Sequence, residues 1–384
     1  MHGDVERELP TPEAEELLAV VRQIAREELV DQAVESENSG RFPRDVFTKL
    51  GELGLLGLPY PVEVGGSGQP FVVYLQVIEE LATAWLSVGL GVSVHTLSAH
   101  ALANFGTSEQ QARFLPDMLG GELLGAYCLS EPGSGSDAAA LVTRAEATDS
   151  GYVLNGTKAW ITHGGVADFY TVMARTGEHR TKGISCFLVP GNTAGLSAAA
   201  PENKMGMRGS TTAQVILDNA RVDRDRLIGQ EGEGFTIAMA ALDAGRLGIA
   251  ACAVGVAQAA LTEAVAYANT RRQFGSAISE FQGISFMLAD MATAVEAARS
   301  LYLTAARRKD RGLNYSTQAA MAKLFATDMC MRVTTDAVQI LGGAGYVQDF
   351  PAERYFREAK VLQIVEGTNQ VQRLVIGRNV TADR

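Results

Sequence analysis

Basic charge is in deficit in this chain: 33 Lys and Arg stand against 44 Asp and Glu, a formal charge of −11. That balance argues against the basic footprint needed to wrap nucleic acid, although a net count is silent about one local arginine cluster facing an anionic ligand. Cysteine is sparse. Cys128, Cys186, Cys252 and Cys330 are widely separated, and the five histidines form no His-Glu-x-x-His, so no zinc cage is offered and reduced thiols are expected. Long apolar runs are missing too: none approaches the ~20 residues of a membrane span. The first residues, Met1-His2-Gly3-Asp4-Val5-Glu6, are acidic and carry neither an apolar signal core nor an arginine-rich transit pattern, which leads to the expectation of a cytoplasmic protein. What remains is 384 residues, 47% hydrophobic and 20% charged, the profile of a globular chain of two or three domains.

The texture changes twice along the chain. From Thr11, an N-cap candidate, Leu17, Val20, Val21 and Ile24 fall at helical spacing, and further helical patterns cover 46–55 and 76–84. Beyond Gly120-Gly121 the segments 151–158, 169–173 and 184–189 are β-rich and divided by Gly, Asn and Pro, as in an antiparallel sheet. After Gly232-Glu233-Gly234 the helical period returns. One stripe holds Ile284, Met287, Leu288 and Met291, and a second holds Met321, Leu324 and Phe325, to be stopped by Gly342-Gly343. The fold class is therefore α+β, mainly α: an N-terminal helical domain (1–123), a middle antiparallel β domain (124–235) and a C-terminal helix bundle (236–384). Strand–helix alternation, the mark of a doubly wound fold, is missing.

Glu131-Pro132-Gly133-Ser134-Gly135-Ser136-Asp137-Ala138 contains a formal G-x-G-x-x-A. A dinucleotide fingerprint would need a strand feeding the first glycine and a long helix after the last; here Glu-Pro precedes the first, and β pattern follows the last. The loop is either a flavin- or phosphate-cradling run of backbone N–H groups or a plain crossing between domains. Trp160-Ile161-Thr162 is either a core tryptophan beside a surface threonine or an aromatic wall with a hydroxyl donor. Tyr267 to Gly275 is either a solvated connection or an anion site with Arg271, Arg272 and Gln273. Thr368 suits the N-cap of a terminal helix striped by Val371, Leu374 and Val375, whose free N–H groups would welcome a phosphate. Glu366 precedes a glycine and a fresh helix start, where a carboxylate is either a solvated turn residue or a general base.

Taken in order, 126–137, Trp160-Ile161-Thr162, Met205-Gly206-Met207-Arg208-Gly209-Ser210, Arg271-Arg272-Gln273-Phe274-Gly275, Gln339-Ile340-Leu341-Gly342-Gly343 and Glu366-Gly367-Thr368-Asn369-Gln370 resemble the acyl-CoA dehydrogenase family, over roughly Thr11 to Arg378. The resemblance implies FAD as cofactor. Tyr127, Leu129, Ser130, Gly135, Ser136, Trp160, Ile161 and Thr162 would line the flavin. Arg271, Gln273, Phe274, Gln282, Gln339, Gly342 and Gly343 would take the adenine dinucleotide portion, partly across the interface of a homotetramer, with Thr368 and Gln370 completing it. Ser136, Asp243, Arg246 and Gly367 would contact the acyl-CoA substrate.

By the same resemblance Glu366 takes the α-proton of the thioester while a hydride leaves Cβ for flavin N5, giving a trans-2-enoyl-CoA. Polarisation of the carbonyl makes that proton acidic enough, the Glu366 backbone N–H being one implied donor. Electrons would pass to an electron-transfer flavoprotein. Some family branches carry the base at the position of Gly245, which cannot serve; Val365 stands where many members have Tyr. The closest texture is the short-chain or short-branched-chain type. The acyl tail would run beside the helix near 88–95, where His95 is a pocket floor or a core histidine. A related flavin oxidase, of acyl-CoA or nitroalkane type, and a catalytically silent scaffold remain the alternatives.

Overall fold

The computed structural model describes Val5, Arg7 and residues 9–382. Of the N-terminal stretch used above, Met1 to Asp4 and Glu6 lie outside the described residues. Helix α1 (Pro12–Ile24) starts where Thr11 Oγ1 accepts the Ala14 N–H, with Pro12 pre-set for the first turn. Its buried face is Ala14, Leu18, Val21 and Ile24, whereas Val20 is exposed and Leu17 half-buried. The expected stripe was thus one residue out of phase on its first two members, because the small Ala14 and not the larger Leu17 sets the inward face. A single π turn leads into α2 (Val30–Ser39), and α3 (Arg44–Glu52) follows.

Helices α4 (Phe71–Ala84) and α5 (Leu86–Phe105) are separated only by Trp85, whose extended backbone (φ −155°) breaks the helical path. Helix α6 (Ser108–Leu119) opens with a capping box between Thr107 and Gln110.

The middle of the chain is one eight-stranded sheet: β1 (Gly125–Cys128), β2 (Arg144–Ala147), β3 (Gly151–Thr162), β4 (Phe169–Arg175), β5 (Ile184–Pro190), β6 (Leu196–Ala198), β7 (Thr212–Asp223) and β8 (Leu227–Ile228). Most neighbours pair antiparallel, as expected. The sheet is nevertheless mixed: β1 lies parallel to β4, and β2 touches β4 in parallel at Arg144 and Arg175. A two-residue hairpin joins only antiparallel strands; β1 arrives from the helical domain and leaves through the 129–137 loop, a crossover that admits a parallel neighbour.

The C-terminal part is α7 (Gly234–Thr270), a hairpin of β9 (Arg272–Gln273) and β10 (Ser276–Ala277), then α8 (Gln282–Asp310), α9 (Ser316–Leu341), α10 (Ala352–Leu362) and α11 (Asn369–Thr381). Helix α7 is apolar around most of its circumference and runs through the centre of the molecule, packed on α4, α5, α8 and α9. Two helices, Leu86–Phe105 and Gly234–Thr270, are long and apolar enough to cross a bilayer, contrary to the sequence expectation; both are mostly buried in this core.

Two other expected stripes face outward. Met321 and Phe325 are exposed, and α9 buries the small residues Ala319, Ala322, Ala326 and Cys330 instead. On α11 Leu374 is exposed while Asn369 and Gln372 are buried. The three domains are joined at Glu37 of α2, which accepts the Arg208 N–H (2.8 Å) and a guanidinium hydrogen of Arg357 (2.5 Å); Arg357 also reaches the Met205 carbonyl (2.9 Å). A side chain at Gly209 would overlap Ser36 Oγ, which explains the glycine in the Met205–Ser210 motif.

Candidate active site

Helix α10 ends at Leu362, and residues 363–368 turn the chain into α11. Within that turn Glu366 has φ 51° and Gly367 φ 90°. The left-handed conformation is free for the glycine but costs a glutamate about 1–2 kcal/mol. The surroundings hold it there. Lys323 Nζ donates to Gly367 O (3.0 Å) and Asn369 Oδ1 (2.8 Å); Gln372 Nε2 donates to Gly367 O (2.8 Å); Asp328 accepts from Gln363, Asn369 and Arg373. Thr368 caps α11 through its hydroxyl, as the sequence suggested.

The Glu366 side chain lies against α7, directly over Gly245. A Cβ built on Gly245 would overlap Oε2 and stand 2.8 Å from Cδ. Both carboxylate oxygens are shielded from solvent and have no hydrogen-bond partner among the described residues. Burial pushes the carboxyl up to about 7, against the opposing charges of Lys323 and Arg246. Burial likewise brings Lys323 down to about 7, Glu366 and Asp328 resisting. An ionisable group poised near neutrality, desolvated and unpartnered, is the expected state of a general base before substrate arrives.

Asp243 and Arg246, one turn apart on α7, form an ion pair, and Asp243 also accepts from Ser316 Oγ (3.0 Å). The Tyr127 hydroxyl reaches Ala238 O of the same helix at 3.4 Å, and its ring lies close enough to Glu366 for their charges to interact. The loop after β1 is fixed by a buried ion pair, Lys158 to Glu131 at 2.8 Å, with Glu131 also accepting the Val142 and Thr143 N–H groups. Ser130 O accepts the Ala159 N–H, so the loop is hooked to β3 beside Trp160. Trp160 sits at a register shift of β3 with φ 61° and is 65% exposed. Ile161 and Leu129 are buried in the core.

His95 is a fully buried core histidine, not a pocket wall: its Nδ1 accepts the Gly125 N–H (3.1 Å). His163, unremarked in the sequence, meets the other side of the same peptide, Nδ1 lying 2.8 Å from Gly125 O. A carbonyl only accepts, so His163 carries its proton on Nδ1 and His95 carries none there.

Arg271, Gln273 and Phe274 lie exposed on the hairpin beyond α7 and Gln282 at the start of α8, with Phe274 97% exposed at φ 50°. Gln339, Gly342 and Gly343 are exposed at the end of α9, and the Tyr267–Phe350 ring contact ties that region to the same end of α7. At 1.5 Å per residue, Arg271 is about 40 Å along α7 from Gly245. Tyr127, Arg246 and Gly367 therefore lie beside Glu366, and the Arg271 to Gln282 group lies far from it along the same helix.

Both groups suit an extended dinucleotide. Added side-chain atoms would meet nothing within 4 Å at Gly133, Gly135, Gly275, Gly283, Gly342 and Gly343, and two aromatic rings stand bare beside them in sequence, Trp160 and Phe274. Lys323 and the steric demand at Gly245 were not legible as functional; the available signal was a lysine at a core position in the small-residue period Ala319, Ala322, Lys323, Ala326.

Three family models match in order: acyl-CoA dehydrogenase N-terminal domain over residues 11–122, middle domain over 126–220 and C-terminal domain over 232–381. An acyl-CoA dehydrogenase of Bacillus subtilis is 47% identical over 94% of this chain and 95% of its own. The butyryl-CoA dehydrogenase structure from Megasphaera elsdenii superposes with TM-score 0.96 at 39% identity, covering 98% of this chain and all of that one. A chain solved in work on the electron transferring flavoprotein of Acidaminococcus fermentans, concerned with flavin-based electron bifurcation, gives TM-score 0.96 at 42% identity over 99% of this chain and 100% of its own. The chain belongs to the acyl-CoA dehydrogenase family and is an FAD-dependent oxidoreductase of that family.

Proposed function

We propose that Glu366 is the base that removes the α-proton of a short acyl-CoA thioester. The carrying observation is its carboxylate, buried against Gly245, unpartnered, and raised toward neutrality. The Glu366 N–H has no backbone acceptor among the described residues, which leaves it available to a thioester carbonyl. Such a donor stabilises the developing enolate, and drying of the pocket by substrate favours proton uptake further. FAD, when bound, supplies the hydride acceptor for the Cβ hydrogen. Tyr127, Leu129, Ser130, Gly135, Ser136, Trp160, Ile161 and Thr162 would hold its flavin end, with Thr368 and Gln370 alongside. Asp243, Arg246, Ser136 and Gly367 would receive the thioester and its CoA portion.

The distant group, Arg271, Gln273, Phe274, Gln282, Gln339, Gly342 and Gly343, would serve the FAD of a neighbouring copy. A gap of about 40 Å along one helix is longer than one cofactor bridges, and exposed Phe274, Phe286, Phe325 and Leu374 offer apolar surface to bury in a homotetramer. Short acyl groups are favoured by the likeness to butyryl-CoA dehydrogenase, and an electron-transfer flavoprotein as acceptor by the likeness to the Acidaminococcus chain. Buried, unpaired cysteines support a reducing, cytoplasmic setting.

Anaerobic bleaching of the purified flavin by a panel of straight and branched acyl-CoAs reads the substrate directly. Glu366→Gln is expected to retain yellow flavin and to resist bleaching; turnover by that variant would reassign the base.

A further inference from the structure

We propose that Lys323 is a positioning residue of the dehydrogenation, its buried ammonium clamping the carbonyl next to the base and presenting positive charge to the Glu366 carboxylate. The inference rests on Glu366 being the base. Lys323 is wholly buried in α9, and its Nζ donates to Gly367 O (3.0 Å) and Asn369 Oδ1 (2.8 Å). The carbonyl does not depend on it alone: Gly367 O also receives Gln372 Nε2 at 2.8 Å, whereas the single Thr327 hydroxyl proton near Asn369 Oδ1 is nearer to Lys323 O at 2.8 Å. The start of α11 is capped separately by Thr368. The hydrogen-bond need of the carbonyl therefore does not by itself explain a lysine here, where a methionine would fill similar volume without the cost of burying charge.

What Lys323 alone adds on this side of the base is a positive charge, present in full below the value of about 7 to which burial lowers it. Glu366 faces Lys323 from α9, Arg246 and Cys252 from α7, Tyr74 from α4 and Tyr127 from β1. Arg246 is already paired with Asp243, and the tyrosines and the cysteine are neutral near pH 7. Lys323 itself faces Glu366, Asp328 and Arg246. Asp328 is engaged by Gln363, Asn369 and Arg373, which leaves Glu366 as the carboxylate without another donor. Lys323 thus favours the ionised base against the burial that opposes it, and the same contact holds the left-handed turn that aims the carboxylate at Gly245.

The test is the pH dependence of flavin reduction in the Lys323→Met holoenzyme, followed anaerobically with butyryl-CoA. The variant is expected to keep its flavin and to show the acid limb displaced upward by about one pH unit, hence about tenfold slower reduction below the limb and recovery above it. An acid limb coinciding with that of the parent enzyme overturns the proposal. Should Lys323→Met lose flavin, Lys323→Arg retains the charge: a lowered plateau with an unmoved limb supports the proposal, and a limb displaced upward by that variant overturns it. Glu366→Gln separates the two readings. If it is inert while Lys323→Met is unshifted, only the role of Lys323 fails; if it turns over, the base assignment itself fails.

Discussion

Gly245 and Glu366 compete for one volume: the carboxylate of the second lies where any side chain on the first would have to go. The two positions from which this family presents a base are therefore mutually exclusive in this chain on steric grounds, and the glycine is a requirement of the glutamate. Gly245→Ala is expected to cost about 1–3 kcal/mol of stability through overpacking. Displacement of the base should lower flavin reduction about a hundredfold. Stopped-flow reduction with butyryl-CoA checks this; a rate within a fewfold of the parent would show that the carboxylate moves aside without harm.

Glu366 also sets a pH dependence of stability. Its folded carboxyl, raised by burial to about 7 from an ordinary 4.5, holds a proton more tightly than the unfolded chain does. That contribution is present below the unfolded value and is lost as pH rises through about 7, a change of roughly 2–3 kcal/mol. Glu366→Gln removes it. The melting temperature of that variant relative to the parent should climb between pH 5 and pH 8 when both are stripped of substrate, and a constant offset would contradict the assignment.

The two histidines on either side of the Gly125 peptide act in the opposite sense. Burial lowers His95 to about 3 and His163 to about 4. Their neutral forms contribute stability that is fully present above the ordinary value of about 6.5 and is lost as pH falls toward the folded values. Each should cost about 2 kcal/mol by pH 5. Replacing His163 by Gln should flatten the acid side of a denaturant-midpoint profile measured from pH 7 to 5; an unchanged slope would exclude it.

Lys158 and Glu131 are the buried pair that carries the 129–137 loop, at 0% and 3% side-chain exposure. Lys158→Met leaves a carboxylate in the core with only two backbone N–H partners. A loss of about 3–5 kcal/mol is expected. Flavin content should fall with it, since Ser130 and Gly135 lie on that loop. Chemical denaturation and the flavin-to-protein absorbance ratio report the two effects.

Much of this was readable in the sequence because it depends on local rules: Thr11 and Thr368 cap helices, Gly342 ends α9, and the change of period marks the sheet. The failures share a physical cause. Leu17, Met321, Phe325 and Leu374 are large and apolar, so periodicity assigns them inward, whereas α7 and α9 bury many alanines, with glycine and cysteine among them. Small residues carry little hydrophobic signal, and a lysine among them reads as surface. Lys323 and the Gly245–Glu366 contact appear only when segments about 45 and 120 residues apart are brought together, a relation that no local window contains.

The distance along α7 has a genetic corollary. In the proposed homotetramer each polypeptide would contribute one half to its own catalytic centre and the other half to a neighbour's. Two defective alleles, one altered at Trp160 and the other at Phe274, should then restore some intact centres when co-expressed, although neither assembles one alone.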